Sequence, residues 1–169
     1  MGSRRICDLA ANDVDKYLTM PKQINSDIVF TEHPRKSKKS PYGFKEWQST
    51  YILSVESGDV IESLYLTLKS MVQADYWYHS FKLFIRENEQ QHIFYQMEIY
   101  PDDIVSHTNL DGSFLFGAHI HKINQVHEIR PQNYSSFSWY EWLEYFKSTT
   151  NISIRGKVTA PNEGELALW

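Results

Sequence analysis

The chain has a single cysteine, Cys7, in 169 residues. That scarcity excludes an internal disulfide and any zinc site assembled from several thiolates. Long apolar runs are missing as well. No stretch approaches the roughly 20 residues a membrane-spanning helix requires, and the opening MGSRRICDLAANDVDKY has no apolar block of the secretory kind. The expected setting is therefore the cytoplasm of a cell or of a host cell, with no membrane partner. A basic surplus is also absent: the net charge is -4, which argues against nucleic-acid binding driven by overall charge. There is no glycine-rich phosphate loop, no GxSxG elbow, no HExxH and no kinase-like set. Readings as an NTPase, a serine hydrolase or a Rossmann dehydrogenase fall away with them. No internal repeat or low-complexity block breaks the chain.

What is present is core material. A 41% hydrophobic and 15% aromatic content is enough to bury a core in a chain of this length, and it excludes disorder for most of it. The pattern predicts one domain over residues 1–169: a helical N-terminal segment over 1–30, a basic loop over 31–46, a sheet plus C-terminal helix over 47–158, and a loose tail over 159–169. A helix is predicted from Asp8, as cap, to Met20, with Leu9, Val14, Tyr17 and Leu18 as its apolar stripe and Pro21 as its stop. Strands are predicted over Gln48–Glu56, Ile61–Val72, Trp77–Arg86, His92–Tyr100 and Gly117–Ile123, joined by polar turns. Ser138 and Glu141 form a capping-box pattern ahead of a helix with Trp142, Leu143, Tyr145 and Phe146 on its buried face. A short strand within Asn151–Val158 follows. The fold class is α+β, an antiparallel meander sheet with N-terminal and C-terminal helices packed on it.

One local charge run stands against the acidic balance. HPRKSKKSPYGFK carries Arg35, Lys36, Lys38, Lys39 and Lys45 with no acid among them. Clustered cations release counterions from a nucleic-acid backbone, so residues 35–45 could contact nucleic acid directly. Short charge runs are more often solvated surface, so a plain solvated linker between helix and sheet is the favoured reading.

The segment richest in chemistry is SHTNLDGSFLFGAHIH, Ser106–His121. Residues two apart on a strand share a face, so His119 and His121 project together. Zinc takes histidine nitrogens and carboxylate oxygens at about 2.0–2.2 Å. If the Asn109–Gly112 turn folds back on the strand, His107 and Asp111 can join them. The candidate metal ligands are therefore His107, Asp111, His119 and His121, with zinc as the cofactor. Two bland alternatives stand beside this reading. The histidines can be half-buried sheet residues, and Asn109 and Asp111 can be turn residues bonding their own backbone.

Acid–base catalysis on an RNA 2′-hydroxyl is a third reading. It asks for a cation beside the histidines. Lys122 points to the opposite strand face, and Arg86 and Arg130 cannot be placed from sequence. His33, His79, His92 and His127 read as structural, with His79 and His92 facing each other across a hairpin and His127 as a spare ligand. Trp77, Tyr78, Trp139, Tyr140, Trp142 and Tyr145 read as core, or in part as a binding patch.

The run FYQMEIYPDDIVSHTNLDGSFLFGAHIH resembles a family of small proteins of bacteria, their phages and mobile elements. These carry a strand, a His-x-Asn-Pro-Asp-Gly turn and a His-x-His strand. His107, Asn109, Asp111, Gly112, His119 and His121 match, while Leu110 stands where the family has proline. The resemblance spans residues 45–150, and its motifs lie between 94 and 121. It implies an accessory protein of a prophage, akin to toxin–antitoxin components or to anti-CRISPR inhibitors of bacterial immune nucleases. Two functions follow as expectations. One is a non-catalytic, metal-stabilised protein that binds and inhibits a host nuclease complex such as a Cas effector. The other is a His-dependent or metal-dependent endoribonuclease toxin.

Overall fold

A computed structural model describes residues 9–34, 43–73 and 76–161. Asp8, Arg35, Lys36, Lys38, Lys39 and the tail from 162 lie outside the described residues. In chain order the elements are α1 (Ala11–Thr19), β1 (Lys22–Ile24), β2 (Thr31–His33), β3 (Phe44–Gln48), β4 (Leu53–Ser54), β5 (Leu64–Gln73), β6 (Tyr76–Glu87), β7 (Gln90–Ile99), β8 (Val105–Thr108), β9 (Phe114–Phe116), β10 (His119–Lys122), β11 (Gln125–Glu128), α2 (Trp139–Thr150) and β12 (Ile152–Ile154).

Seven strands form the main sheet in the order β11-β10-β7-β6-β5-β3-β2. Every neighbouring pair in it is antiparallel. With two helices beside it the fold is α+β. The centre is the predicted meander, β5-β6-β7. Its second turn is Asn88-Glu89, both at positive φ (47° and 64°), the backbone a two-residue hairpin favours because it matches strand twist. The polar connector expected over Glu87–Gln91 therefore shrinks to two residues, and both strands run on to pair Glu87 with Gln90.

A bulge opposite Leu83 and Phe84 leaves Phe94 as the extra residue on β7. An extra residue resets the alternation. Phe94 and Tyr95, though adjacent, thus both enter the core, 1% and 4% exposed. Leu66, Leu68, Phe81, Leu83 and Met97 fill the same face and are fully buried. Residues of both helices meet it. Phe81 stands edge-on to Trp139 and Phe146, Tyr95 donates to the Thr149 hydroxyl, and Tyr17 stacks on Phe94. Trp139 and Trp142 are core, whereas Tyr140 is exposed. The predicted capping box of α2 is present, with Ser138 and Glu141 satisfying each other's backbone amides.

α1 begins at Ala10 without a side-chain cap. Its far end is finished by Lys22, whose buried ammonium donates to the Tyr17 and Met20 carbonyls. Those carbonyls have no partner within the helix, so the cation does the work of a cap.

Gln48–Glu56 is not one strand, although its composition favours one. Pairing with β5 ends at Gln48. Ser49 then turns inward, and its hydroxyl accepts from the Leu66 amide. Ile52 plunges into the core, and Leu53–Ser54 pairs with β1 in a separate three-stranded sheet, β12-β1-β4. In that sheet β1 and β12 run parallel. His33 and Lys45, read as loop, lie in β2 and β3.

Candidate metal centre

The site begins with register. β7 and β10 are neighbours, with Glu98 directly opposite His119 and Gln96 directly opposite His121. Cross-strand partners share a face, as do residues two apart on one strand. These four side chains therefore stand together on the face away from Phe81, Met97 and Ile120. Between β7 and β10 the chain leaves the sheet to form the β8–β9 hairpin, tied at its base by the Gly117 amide on the Ile104 carbonyl. Gly117 sits at φ +68°, and a Cβ there would meet Asp102 at 3.4 Å. This closure folds His107 over the same face.

His107, His119 and His121 each offer a ligand nitrogen, and these atoms all lie within 4.8 Å of one another. His119 Nε2 and His121 Nε2 are 3.0 Å apart. Glu98 Oε2 is 3.2 Å from the first and 3.1 Å from the second. Three donor atoms thus form a nearly equilateral triangle. Two ligands about 2.1 Å from one ion stand about 3.4 Å apart at a tetrahedral angle and about 3.0 Å apart at a right angle. The triangle's edges fall in that interval. The His107 ring closes over it, its centroid 5.7 Å from that of His119 and 5.2 Å from that of His121.

The outer contacts hold this arrangement. Tyr78 donates to Glu98 Oε1. Gln96 Nε2 donates to the same oxygen at 3.1 Å and to Ser80 Oγ at 2.9 Å. Tyr100 lies parallel to the His119 ring at 6.2 Å. Burial by itself would raise the Glu98 pKa, but hydrogen bonds from His119, His121 and Tyr78 outweigh it and hold the carboxyl well below the usual range. The Tyr78 and Tyr100 phenols are pushed up, first by burial and then by the Glu98 charge. The centre thus presents an ionised carboxylate, three imidazoles and neutral phenols. His119 is fully buried, while the His121 side chain is 30% exposed, so one side opens to solvent.

Three of the four residues singled out from sequence come together here. The fourth, Asp111, does not join them. It is exposed, and its Oδ1 accepts from the Ser113 amide at 2.9 Å and the Ser113 hydroxyl at 2.6 Å. These bonds hold its carboxyl below the ordinary range. Asn109 completes the turn by donating to Ser113 Oγ, with Gly112 at φ +84°. The carboxylate beside the histidines is Glu98, which sequence reasoning passed over. The available signal was the one acid in the strand, two residues from Gln96 on its polar side.

The remaining histidines lie elsewhere. His127 pairs with Ile120 and so takes the opposite face. His79 and His92 do not face each other: their cross-strand neighbours on the meander are Ser70 and Ile99 for His79, and Ile85 for His92. His79 is buried, 2.8 Å from the Ser70 hydroxyl, and burial lowers its pKa to about 4. The cations weighed for acid–base work are engaged elsewhere. Lys122 bonds Asp15 on the other face, Arg130 bonds Glu128, and Arg86 lies over the Tyr65 ring. Comparison with protein-family models, with curated proteins and with solved structures finds no match to this chain.

Proposed function

We propose that this chain is a metal-stabilised binding protein in which His107, His119 and His121 hold one divalent ion, zinc by their donor type, with Glu98 as the adjoining carboxylate. The ion fastens the β8–β9 hairpin to the sheet, and the two helices form the layer that backs the sheet beneath it. The observation that carries this reading is the triangle of His119 Nε2, His121 Nε2 and Glu98 Oε2, with edges of 3.0, 3.2 and 3.1 Å. Nitrogen and oxygen donors at those separations suit a zinc-like ion. The Tyr78 and Gln96 bonds to the other Glu98 oxygen are the outer-shell contacts such ligands carry.

The fastened hairpin supplies a reason for the metal. Its inner side carries His107 and Leu115, while Val105, Phe114 and Phe116 point outward at 46%, 62% and 42% exposure, with Leu110 85% exposed at the tip. Asp102, Asp103 and Asp111 flank this patch, and no lysine or arginine occurs between Arg86 and Lys122. Apolar patches rimmed by charge mark protein interfaces. A partner with a basic, apolar-centred surface fits, and the motif resemblance makes a host nuclease complex, such as a CRISPR effector, the partner class. The ribonuclease reading is the weaker one, because Lys122 and Arg130 are committed to Asp15 and Glu128.

The test is metal content by mass spectrometry on protein purified without an affinity tag. One equivalent of zinc is expected in wild type and its loss in His119→Ala and His121→Ala. Metal-free wild type, or variants that keep the ion, would overturn the proposal.

A further inference from the structure

The spacing of the donors at the metal centre bears on how many ligands its ion takes. His119 Nε2 and His121 Nε2 are 3.0 Å apart, and Glu98 Oε2 lies 3.1 Å from the second and 3.2 Å from the first. Around an ion about 2.1 Å from each ligand, a right angle separates donors by about 3.0 Å and a tetrahedral angle by about 3.4 Å. Two of the edges lie nearer the right-angle value, and the third lies midway. The three donors are thus set as one face of a five- or six-coordinate ion. Two histidines and one carboxylate on such a face are the pattern that leaves positions open.

The protein's own donors stop short of filling that sphere. His107 closes over the triangle as a fourth ligand, its ring 5.7 Å from that of His119 and 5.2 Å from that of His121. Glu98 gives the ion a single oxygen, because Oε1 accepts from Tyr78 and from Gln96 Nε2. Asp111, on the same hairpin as His107, is held by Ser113. Among the described residues, no further histidine or cysteine joins the three imidazoles.

The opening has a direction. His119 is fully buried, with Tyr100 parallel to its ring at 6.2 Å, so that side is shut. The His121 side chain is 30% exposed and that of Glu98 17%, so the way out to solvent passes His121.

We infer that the ion keeps an exchangeable position on the His121 side, and that its ligand is a small monoanionic oxygen donor of the carboxylate or hydroxamate class. The inference rests on the metal reading proposed above and assigns the centre a ligand as well as a fastening role. Charge selects the class. Histidine binds a metal as the neutral imidazole, so a divalent ion with one carboxylate keeps one positive charge, which a single anion neutralises. Zinc can expand from four ligands to five, so the added ligand does not require His107 to leave.

The experiment is visible absorption spectroscopy of the full chain, purified without an affinity tag and loaded with one equivalent of cobalt(II). Cobalt(II) is a coloured stand-in for zinc whose bands weaken as its coordination rises above four. Acetohydroxamate and acetate are titrated in, with acetamide as the neutral control. The protein should retain its cobalt through gel filtration and show bands several-fold weaker than a tetrahedral centre gives. Both anions should shift those bands saturably, and acetamide should not. Strong tetrahedral bands that neither anion moves would overturn the inference and leave the metal reading standing. An equal shift with acetamide would overturn the ligand class, and cobalt stripped from the protein by the anions would count against the inference too. Protein that takes up neither cobalt nor zinc would overturn both readings, so metal content measured on the same samples tells the two failures apart.

Discussion

Glu98 on β7 and His119 on β10 are direct cross-strand partners, 21 residues apart in sequence and 3.2 Å apart between Oε2 and Nε2. The excursion between them delivers the third imidazole, His107, from above. Imidazoles positioned by the sheet and one positioned by a hairpin thus gather at one site, with Glu98 beside the sheet pair, and each side chain's role can be tested separately.

Glu98→Gln keeps the side chain's shape and removes its charge. Zinc affinity should fall about 10- to 100-fold, measured by competition with a chromophoric chelator. Unchanged affinity would remove Glu98 from the centre.

Asp111→Ala tests the contrast. Its carboxylate is used by Ser113 within the turn, so the variant should retain a full equivalent of zinc and unfold at nearly the wild-type temperature. Loss of metal in Asp111→Ala would return that residue to the ligand set.

Tyr78→Phe removes the hydroxyl that donates to Glu98 Oε1. A hydrogen bond to a buried charge contributes about 1.5–3 kcal/mol. Chemical denaturation should show a loss of that order, because the carboxylate is left short of a donor.

Lys22 gives the pH dependence its sign. Burial lowers its pKa from 10.5 to about 8. Between those values the unfolded chain holds a proton that the folded chain has released, so this residue makes stability rise with pH from about 8 toward 10. Urea denaturation across that window should show wild type gaining on the order of 2 kcal/mol relative to Lys22→Met. A constant difference would contradict the shift.

The legible parts of this protein were those set by local rules. The His-x-His alternation placed both imidazoles on one face, the Ser138–Glu141 spacing gave the α2 cap, and the apolar alternation located β5, β6 and β7. What escaped depends on which of several partners a side chain takes, near or distant in sequence. Glu98 joins the centre only through the β7–β10 register, which no local pattern specifies. Asp111 was drawn into the ligand set by its nearness to His107, yet Ser113, two residues away, competes for its carboxylate and wins. Gln48–Glu56 has strand composition throughout, but the buried Ser49 hydroxyl takes the Leu66 amide and the chain leaves the ladder there.

The measurement that tests the central claim most directly is an anomalous difference map collected at the zinc absorption edge from crystals of zinc-loaded protein. The account requires one peak about 2.0–2.2 Å from imidazole nitrogens of His107, His119 and His121, on the side of the sheet that carries Glu98. A peak at the Asp111 turn, or none at the histidines, would contradict it.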